Sequence, residues 1–215
     1  MSPRINYENE LMILHDNLEE MGHMVEKNLQ QLFRTLECRE RENLEEVRGN
    51  DHLINNMERN IESKCLSLIT KQQPVAGDLR VISATLKVVT DMERAGDQIV
   101  DIADLLLRMD SMDLAKYSHY FNDMVHETCK MVNEAVDAFI SCNREACKKV
   151  IDADDVVDEL FNKVKEDVIS KVKENKISAD ECVDALMIAK HLEKISDHAV
   201  NVGEWGIFQE TGNFT

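Results

Sequence analysis

The chain has 215 residues, of which 43% are hydrophobic, and a formal net charge of -17 from 42 acidic and 25 basic residues. The hydrophobic fraction suffices for a sizeable core, so the acidity does not indicate disorder. The charge argues against nucleic acid and anionic membrane surfaces as partners, because both attract clustered Lys and Arg. Only two prolines, seven glycines and 5% aromatic residues favour an all-α fold.

The N-terminal stretch MSPRINYENELMILHDNLEEMG lacks the apolar segment of a secretion signal. No run of roughly 18 apolar residues follows that would span a bilayer. We therefore expect a cytoplasmic, soluble protein without membrane insertion. The six cysteines include no CxxC pair, so we expect reduced thiols and neither a zinc knuckle nor a thioredoxin-type site.

Apolar residues recur every three or four positions in the first half, which is the spacing of amphipathic helices. The pattern predicts a first helix over residues 7–36 and a second over 44–69, which ends before Pro74. Asp78 is expected to be the N-cap of a third helix that ends near Met109.

The second half predicts three further helices. The fourth begins at Ser111 or Asp113 and ends near residue 140, and the fifth follows Asn143 as its N-cap. Ser178 and Glu181 have the spacing of a capping box, which predicts the start of a sixth helix. Residues 208–215 are expected to fray.

The chain repeats itself at an offset of about 100 residues, because DMERAGDQIVDIAD in the third helix aligns with HLEKISDHAVNVGEW in the sixth. One helix earlier the offset is 103, where DHLINNMERNI resembles DDVVDELFNKV. We therefore predict two tandem three-helix bundles with six long antiparallel helices. The predicted domains are residues 1–110 and 111–215.

Each copy carries a line of acidic residues, four positions apart, beside the apolar stripe of its third helix. Like charges at this spacing destabilise a helix by about 0.2 to 0.5 kcal/mol per pair, and no Lys or Arg stands at the intervening four-residue positions. One such line alone is usually a solvated face, but a line that occurs twice predicts a cation site. The predicted metal ligands are Glu93, Asp97 and Asp101 in the first copy and Glu193, Asp197 and Asn201 in the second.

The neighbouring helices offer a second set of candidate ligands, namely Asp51, Asn55 and Glu58 in the first copy and Asp154, Asp155 and Asp158 in the second. Carboxylate and amide oxygens suit Mg, Mn, Ca and ferric iron, whereas Zn usually also takes His or Cys. Three or four acids in a line exceed the needs of one ion, so multinuclear clusters of Fe, Mn, Mg or Zn are the expected cofactors. His198, next to Asp197, is a further residue that can reach or tune a metal.

Three motifs together resemble the PhoU family of phosphate-signalling accessory proteins: PVAGDLR at residues 74–80 and the two acidic stretches above. The resemblance implies metal clusters held by the predicted ligands, a homodimer, and action at the cytoplasmic face of the membrane. It also implies negative regulation of phosphate uptake and of phosphate-starvation signalling. The implied partners are the ATPase subunit of a phosphate ABC transporter and a sensor histidine kinase.

The second copy departs from the first in two ways. It has no counterpart of the DLR turn, and Asn201 stands where the first copy has Asp101, so the second site is expected to carry less charge. Two other functions stay open: a structural helical scaffold without metal, and a metal-dependent phosphatase or oxidase. No nucleophile motif is present and the acidic lines lack Glu-x-x-His pairs, so we expect no enzymatic activity.

Overall fold

The computed structural model describes residues 3–38, 41–72, 74–109 and 111–213. It confirms the predicted all-α fold with six long helices, and these ranges contain no strand. The helices are α1 (Pro3–Cys38), α2 (Glu42–Gln72), α3 (Ala76–Arg108), α4 (Tyr120–Ile140), α5 (Arg144–Lys173) and α6 (Ala179–Thr211), with a 3-10 turn at Leu114–Lys116. None of the helices in these ranges combines the length and hydrophobicity that crossing a bilayer requires.

The third helices of the two bundles pack against each other along the middle of the molecule. Four helices form a layer in the order α2, α3, α6, α5, each in contact with the next. α1 packs against α2 and α3, α4 packs against α5 and α6, and α1 also contacts α4. α3 and α6 run antiparallel, because Asp91 contacts Asn201 whereas Arg108, further along α3, contacts Asp184.

A continuous hydrophobic core joins the two bundles. It includes Leu18 and Val25 of α1, Ile99 of α3, Phe121 of α4 and Ile195 of α6, each at most 1% exposed. Burial of one such side chain contributes about 1.5 to 3 kcal/mol, so each bundle stabilises the other. The predicted division into residues 1–110 and 111–215 stays a prediction, because the two halves are not separated by a gap in this core.

The burial pattern repeats with the sequence. Residues 91–100 and 191–200 show the same order of buried, half-buried and exposed positions, residue by residue. Aligned acids therefore occupy equivalent positions: Glu93 and Glu193 are half-buried, and Asp97 and Asp197 are exposed. The offset of 100 residues that was derived from the sequence thus describes equivalent environments in space.

The predicted start of α3 was wrong by a few residues. Val75 is the N-cap, with extended backbone and no side-chain cap hydrogen bond, and the helix begins at Ala76. Asp78 lies within the first helical turn. A carboxylate there still interacts favourably with the positive end of the helix dipole, which explains an acid at this position without a capping role.

The predicted start of α4 was also wrong, because α4 begins at Tyr120 and not at Ser111 or Asp113. Tertiary contacts fix the segment before it. Ser118 is fully buried and its hydroxyl donates a hydrogen bond of 2.7 Å to Asp167 Oδ2 on α5. Contacts of this kind have no period in the sequence, so helical spacing does not reveal them.

Two predicted caps were right, and the predicted fraying was wrong for residues 208–212, whereas residues 214 and 215 lie outside the described residues. The Asn143 side chain accepts a hydrogen bond from the backbone of Ala146, and Ser178 with Glu181 forms the capping box of α6. α6 continues to Thr211, where Gly212 at φ 78° ends it. Glycine adopts this left-handed conformation at little cost, so Gly212 is a defined helix C-cap.

Candidate metal centre

The first acidic site lies between α2 and α3. Partial desolvation raises the pKa of Glu93, and the negative charges of Asp97 and Asp51 raise it further. The pKa of Asp97 is raised by the same desolvation and then by Asp51 and Asp101. Acids from both helices therefore act on one another, and the structure brings together the first line and Asp51 of the second candidate set.

Glu58 belongs to the same site. Burial raises its pKa to about 7, and the next largest cause is the charge of Glu93, followed by that of Glu62 on its own helix. Asp97 contributes as well, whereas Arg59 partly offsets the rise. Glu58 is thus the carboxyl group in this site with the clearest demand for a compensating positive charge.

Two buried oxygen atoms in this site have no hydrogen-bond partner among the described residues. They are Asp51 Oδ1 and Asn55 Oδ1, although Asn55 Nδ2 donates to the other Asp51 oxygen at 2.9 Å. An unpaired buried polar group costs about 1 to 3 kcal/mol, and more if it is charged. Both atoms are acceptors, so a cation would satisfy the two together.

The second acidic site lies between α5 and α6 and repeats this arrangement. Burial raises the pKa of Asp154, although the Ser196 side chain opposes this rise, and the pKa of Asp197 is raised by burial, then by Glu193 and Asp154. Asp158 adds to the rise at Asp197. Asp154 Oδ1 is again buried without a hydrogen-bond partner in the described part of the chain. It aligns with Asp51 Oδ1, so the same unsatisfied atom occurs in both copies.

An ion pair between a lysine and a candidate ligand distinguishes the second site. Lys190 forms an ion pair with Glu193 and lies 5.7 Å from the ring centroid of Phe161. The absence of basic partners was inferred only for the four-residue positions of each acidic line, and Lys190 lies outside that set. Lys190 is three residues before Glu193, a spacing at which helical side chains meet as readily as at four. In the first copy Thr90 aligns with Lys190 and Glu58 aligns with Phe161, so the ammonium group has no counterpart there.

Asp101 and Asn201 lie nearer the seam between α3 and α6 than the other predicted ligands do. Asn201 Nδ2 donates a hydrogen bond of 2.9 Å to Asp91 on α3. Asp101 Oδ2 is 3.6 Å from His191 Nδ1 on α6, while its charge also acts on Asp97. Asp101 therefore borders the first site, whereas the described contact of Asn201 is directed across the seam. Their roles as ligands stay predictions.

Asp104, the last acid of the first line, already has a cation. Its Oδ1 lies 2.7 Å from Arg48 Nε on α2. The charge of Asp104 is therefore compensated within the protein. His198 is the other residue considered for a metal. Its Nδ1 lies 2.9 Å from Asp91 Oδ1, so its described contact is across the seam between α3 and α6.

The residues fit a hard cation in their chemistry. Carboxylate and amide groups from two helices contribute to each site, and each site has a buried acceptor atom with no hydrogen-bond partner among the described residues. Within the described ranges, no three Cys, His, Asp or Glu side chains are already close enough to form a metal site. A bound ion would therefore have to draw the carboxylates of two helices together.

Fold and site together define a class: all-helical proteins of two three-helix repeats, with a cluster of carboxylates between two helices of each repeat. A family model described as "PhoU domain" matches residues 18–106 and 121–206. The chain belongs to the PhoU family.

Relatives span nearly the whole chain. A "Phosphate-specific transport system accessory protein PhoU homolog" of Clostridium acetobutylicum is 33% identical over 207 residues, which is 96% of this chain and 94% of the relative. "Homolog 1" of Thermotoga maritima, which bears the same description, is 31% identical over 99% of this chain and 92% of its own. The crystal structure of PhoU from Pseudomonas aeruginosa has a TM-score of 0.88 at 28% identity and covers 96% of this chain and 100% of that one.

Proposed function

We propose that this protein is a metal-binding regulatory accessory protein of a phosphate transport system, without catalytic turnover. The observation that carries the metal proposal is the aligned pair of buried carboxylate oxygens, Asp51 Oδ1 and Asp154 Oδ1, that have no partner in the described structure. In two separate helix pairs the same unsatisfied atom is buried beside other carboxylates. A purely structural role would not explain why the same unpaired oxygen occurs in both copies.

In the first site Asp51, Asn55 and Glu58 of α2 would hold the ion together with Glu93 and Asp97 of α3. In the second site the corresponding residues are Asp154 and Asp158 of α5 with Glu193 and Asp197 of α6. A bound cation supplies positive charge that cancels the mutual repulsion of these carboxylates. The chain's own residues would then link α2 to α3 and α5 to α6. Fe, Mn, Mg or Zn, as single ions or clusters, are the proposed cofactors.

We further propose that the surface made by these four helices contacts partner proteins at the cytoplasmic face of the membrane. The relatives are named accessory proteins of a phosphate-specific transport system. These names support the ATPase subunit of a phosphate ABC transporter as one partner. A sensor histidine kinase is the second proposed partner. In this proposal a homodimer links the two and represses phosphate uptake and starvation signalling.

Metal binding is tested by thermal unfolding of chelator-treated protein with and without added Mn, Mg or Fe. A ligand that binds only the folded state stabilises it by about 2.7 kcal/mol at a hundredfold excess over Kd, which raises Tm by roughly 5 to 10 °C for a chain of this size. The double variant Asp97→Asn/Asp197→Asn is expected to lose most of this rise. Asp123→Asn, an exposed acid in the first turn of α4, is the matched control.

An unchanged Tm with every metal, together with no metal in the purified protein, would support the metal-free scaffold instead. The partner proposal is tested separately, by co-purification of the chain with the transporter ATPase subunit or the kinase from the same organism. Turnover of a phosphoester by metal-loaded protein would favour the phosphatase alternative and contradict the regulatory proposal.

A further inference from the structure

A groove runs along the seam where α3 meets α6 and shares Asp197 with the second acidic site. It has a volume of about 610 Å³ and is lined by Arg94 and Gln98 of α3 and by Lys194, Asp197, His198, Val200 and Asn201 of α6. Its volume lies within the range of small-molecule sites, roughly 300 to 1,000 Å³. Two of these residues are cationic and one is acidic, the reverse of a chain with 42 acids and 25 basic residues.

The two cations face each other across the seam. Asp91 contacts His198 on one side, and Gln98 contacts His191 on the other, with Nδ1 and Oε1 2.7 Å apart. Halfway between these contacts, α3 has Arg94 and α6 has Lys194. The repeat alignment relates the two residues by the offset of 100, so the approximate two-fold symmetry of the seam brings them to its centre.

Neither cation forms an ion pair with a described residue, although the charge of Arg94 partly offsets the rise in the pKa of the adjacent Glu93. Arg94 and Lys194 are both exposed. Asp197, the one acid at the groove, interacts with Glu193 and Asp154 on the side of α5. Two unpaired like charges at the centre of a concave surface create a local positive field that favours an anion.

Gln98 adds an uncharged hydrogen-bond donor to the groove. Gln98 Oε1 accepts the hydrogen bond from His191, which leaves the Gln98 amide nitrogen free to donate to a ligand. The planar guanidinium of Arg94 matches the oxygens of a phosphoryl group in a bidentate geometry, and Lys194 adds a point charge. The acidic lines on both sides exclude nucleic acid and other extended polyanions, so the occupant has to be small.

From the paired cations Arg94 and Lys194 and the free Gln98 donor in one groove, we infer a binding site on the α3–α6 seam for a small anion with two phosphoryl groups. One phosphoryl group contacts Arg94 and the other Lys194. Binding at this site needs no metal in the acidic sites and goes beyond the proposed function. An anion that bridges the two residues also ties the first repeat to the second.

Isothermal titration of metal-free protein with inorganic diphosphate at low ionic strength tests the inference. Diphosphate is expected to bind at one site per chain, and Arg94→Gln or Lys194→Gln should each weaken binding by at least about tenfold, the effect of losing a charge-assisted hydrogen bond. Orthophosphate should bind more weakly than diphosphate because it reaches only one cation. Arg94→Lys should retain more affinity than Arg94→Gln.

Lys87→Gln is the matched control, since Lys87 is an exposed cation on the same helix, two turns before Arg94 and outside the groove. Circular dichroism and thermal unfolding show that each variant keeps its fold. The inference is overturned if wild-type protein binds no diphosphate, or if Arg94→Gln/Lys194→Gln binds it as tightly as Lys87→Gln does. Metal content measured on the same samples keeps this result separate from the proposed metal function.

Discussion

Asp91 of α3 and Asn201 of α6 hold the two repeats together: Asp91 Oδ1 accepts a hydrogen bond from Asn201 Nδ2 at 2.9 Å. Asp91 is 7% exposed, so water compensates little for a lost partner. We predict that Asn201→Ala lowers the free energy of unfolding by about 1.5 to 3 kcal/mol, as for hydrogen bonds to charged groups. Urea unfolding measures the loss.

The control for this prediction is Asn162→Ala, which removes an exposed hydrogen bond to the Asp158 backbone. It should change stability by no more than about 0.5 kcal/mol. Equal effects of Asn162→Ala and Asn201→Ala would show that the seam contact contributes nothing specific.

A pair of glycines tests the close packing of α1 against α4. A Cβ atom added at Gly22 would lie 2.6 Å from Val136 Cγ1, which requires a shift of buried atoms, whereas one added at Gly49 meets nothing within 4 Å. Gly22→Ala is expected to destabilise the protein by about 1 to 3 kcal/mol through overpacking. Gly49→Ala should stabilise it by up to about 1 kcal/mol, because alanine favours the helix. Calorimetry of both variants should give Tm shifts of opposite sign.

Glu58 predicts how the stability of metal-free protein depends on pH. Its pKa of about 7 in the folded protein, raised by burial and then by Glu93, exceeds the ordinary value of 4.5 expected in the unfolded chain. The folded state therefore binds a proton that the unfolded state has lost. This stabilisation is fully present below pH 4.5 and is lost as pH rises through about 7.

Thermal unfolding of chelator-treated protein from pH 5 to pH 8 measures this effect. The neighbouring charges are Glu93 and Asp97 on α3 and Arg59 and Glu62 on α2. Glu58→Gln should flatten the decline toward pH 8, whereas Glu166→Gln, an exposed acid on α5, should leave it unchanged. The same slope in both variants would exclude Glu58 as its source.

Lys190 predicts that the two acidic sites differ in metal affinity. Its ion pair with Glu193 places a positive charge where a cation would bind. Lys190→Thr, which copies Thr90 of the first repeat, should raise the Mn affinity of the second site about fivefold, from a repulsion of about 1 kcal/mol. Titration in an Asp97→Asn background isolates the second site. Lys130→Thr, an exposed lysine on α4, should leave the affinity unchanged, and an equal gain there would refute the local effect.

The sequence predicted the fold well because long amphipathic helices and an internal repeat are periodic signals. The apolar spacing indicated all six helices, and the offset of 100 residues matched positions that share burial in space. The errors fell where structure depends on single tertiary contacts. Ser118 is an example, since its hydrogen bond to Asp167 joins residues 49 positions apart.

The candidate sites were predictable only along each helix. The four-residue spacing predicted that Glu93 and Asp97 lie on one face of α3. It gave no information on which side chains of α6 face α3. The contact of Asn201 with Asp91, and the groove between Arg94 and Lys194, depend on two segments 100 residues apart. A single sequence does not specify that pairing, because any of the six helices can pack against any other until the core is assembled.

The side chains at the seam favour pairing of the first repeat with the second over pairing of two identical repeats. Asp91 aligns with His191, Gln98 with His198, and Asp101 with Asn201, and in the molecule Asp91 contacts His198 and Asp101 lies near His191. Two first repeats paired through the same seam would place Asp91 opposite Asp101 of the other copy, carboxylate against carboxylate. Two second repeats would set His191 against His198. The differences at these few positions therefore make pairing of two identical repeats through this surface unfavourable.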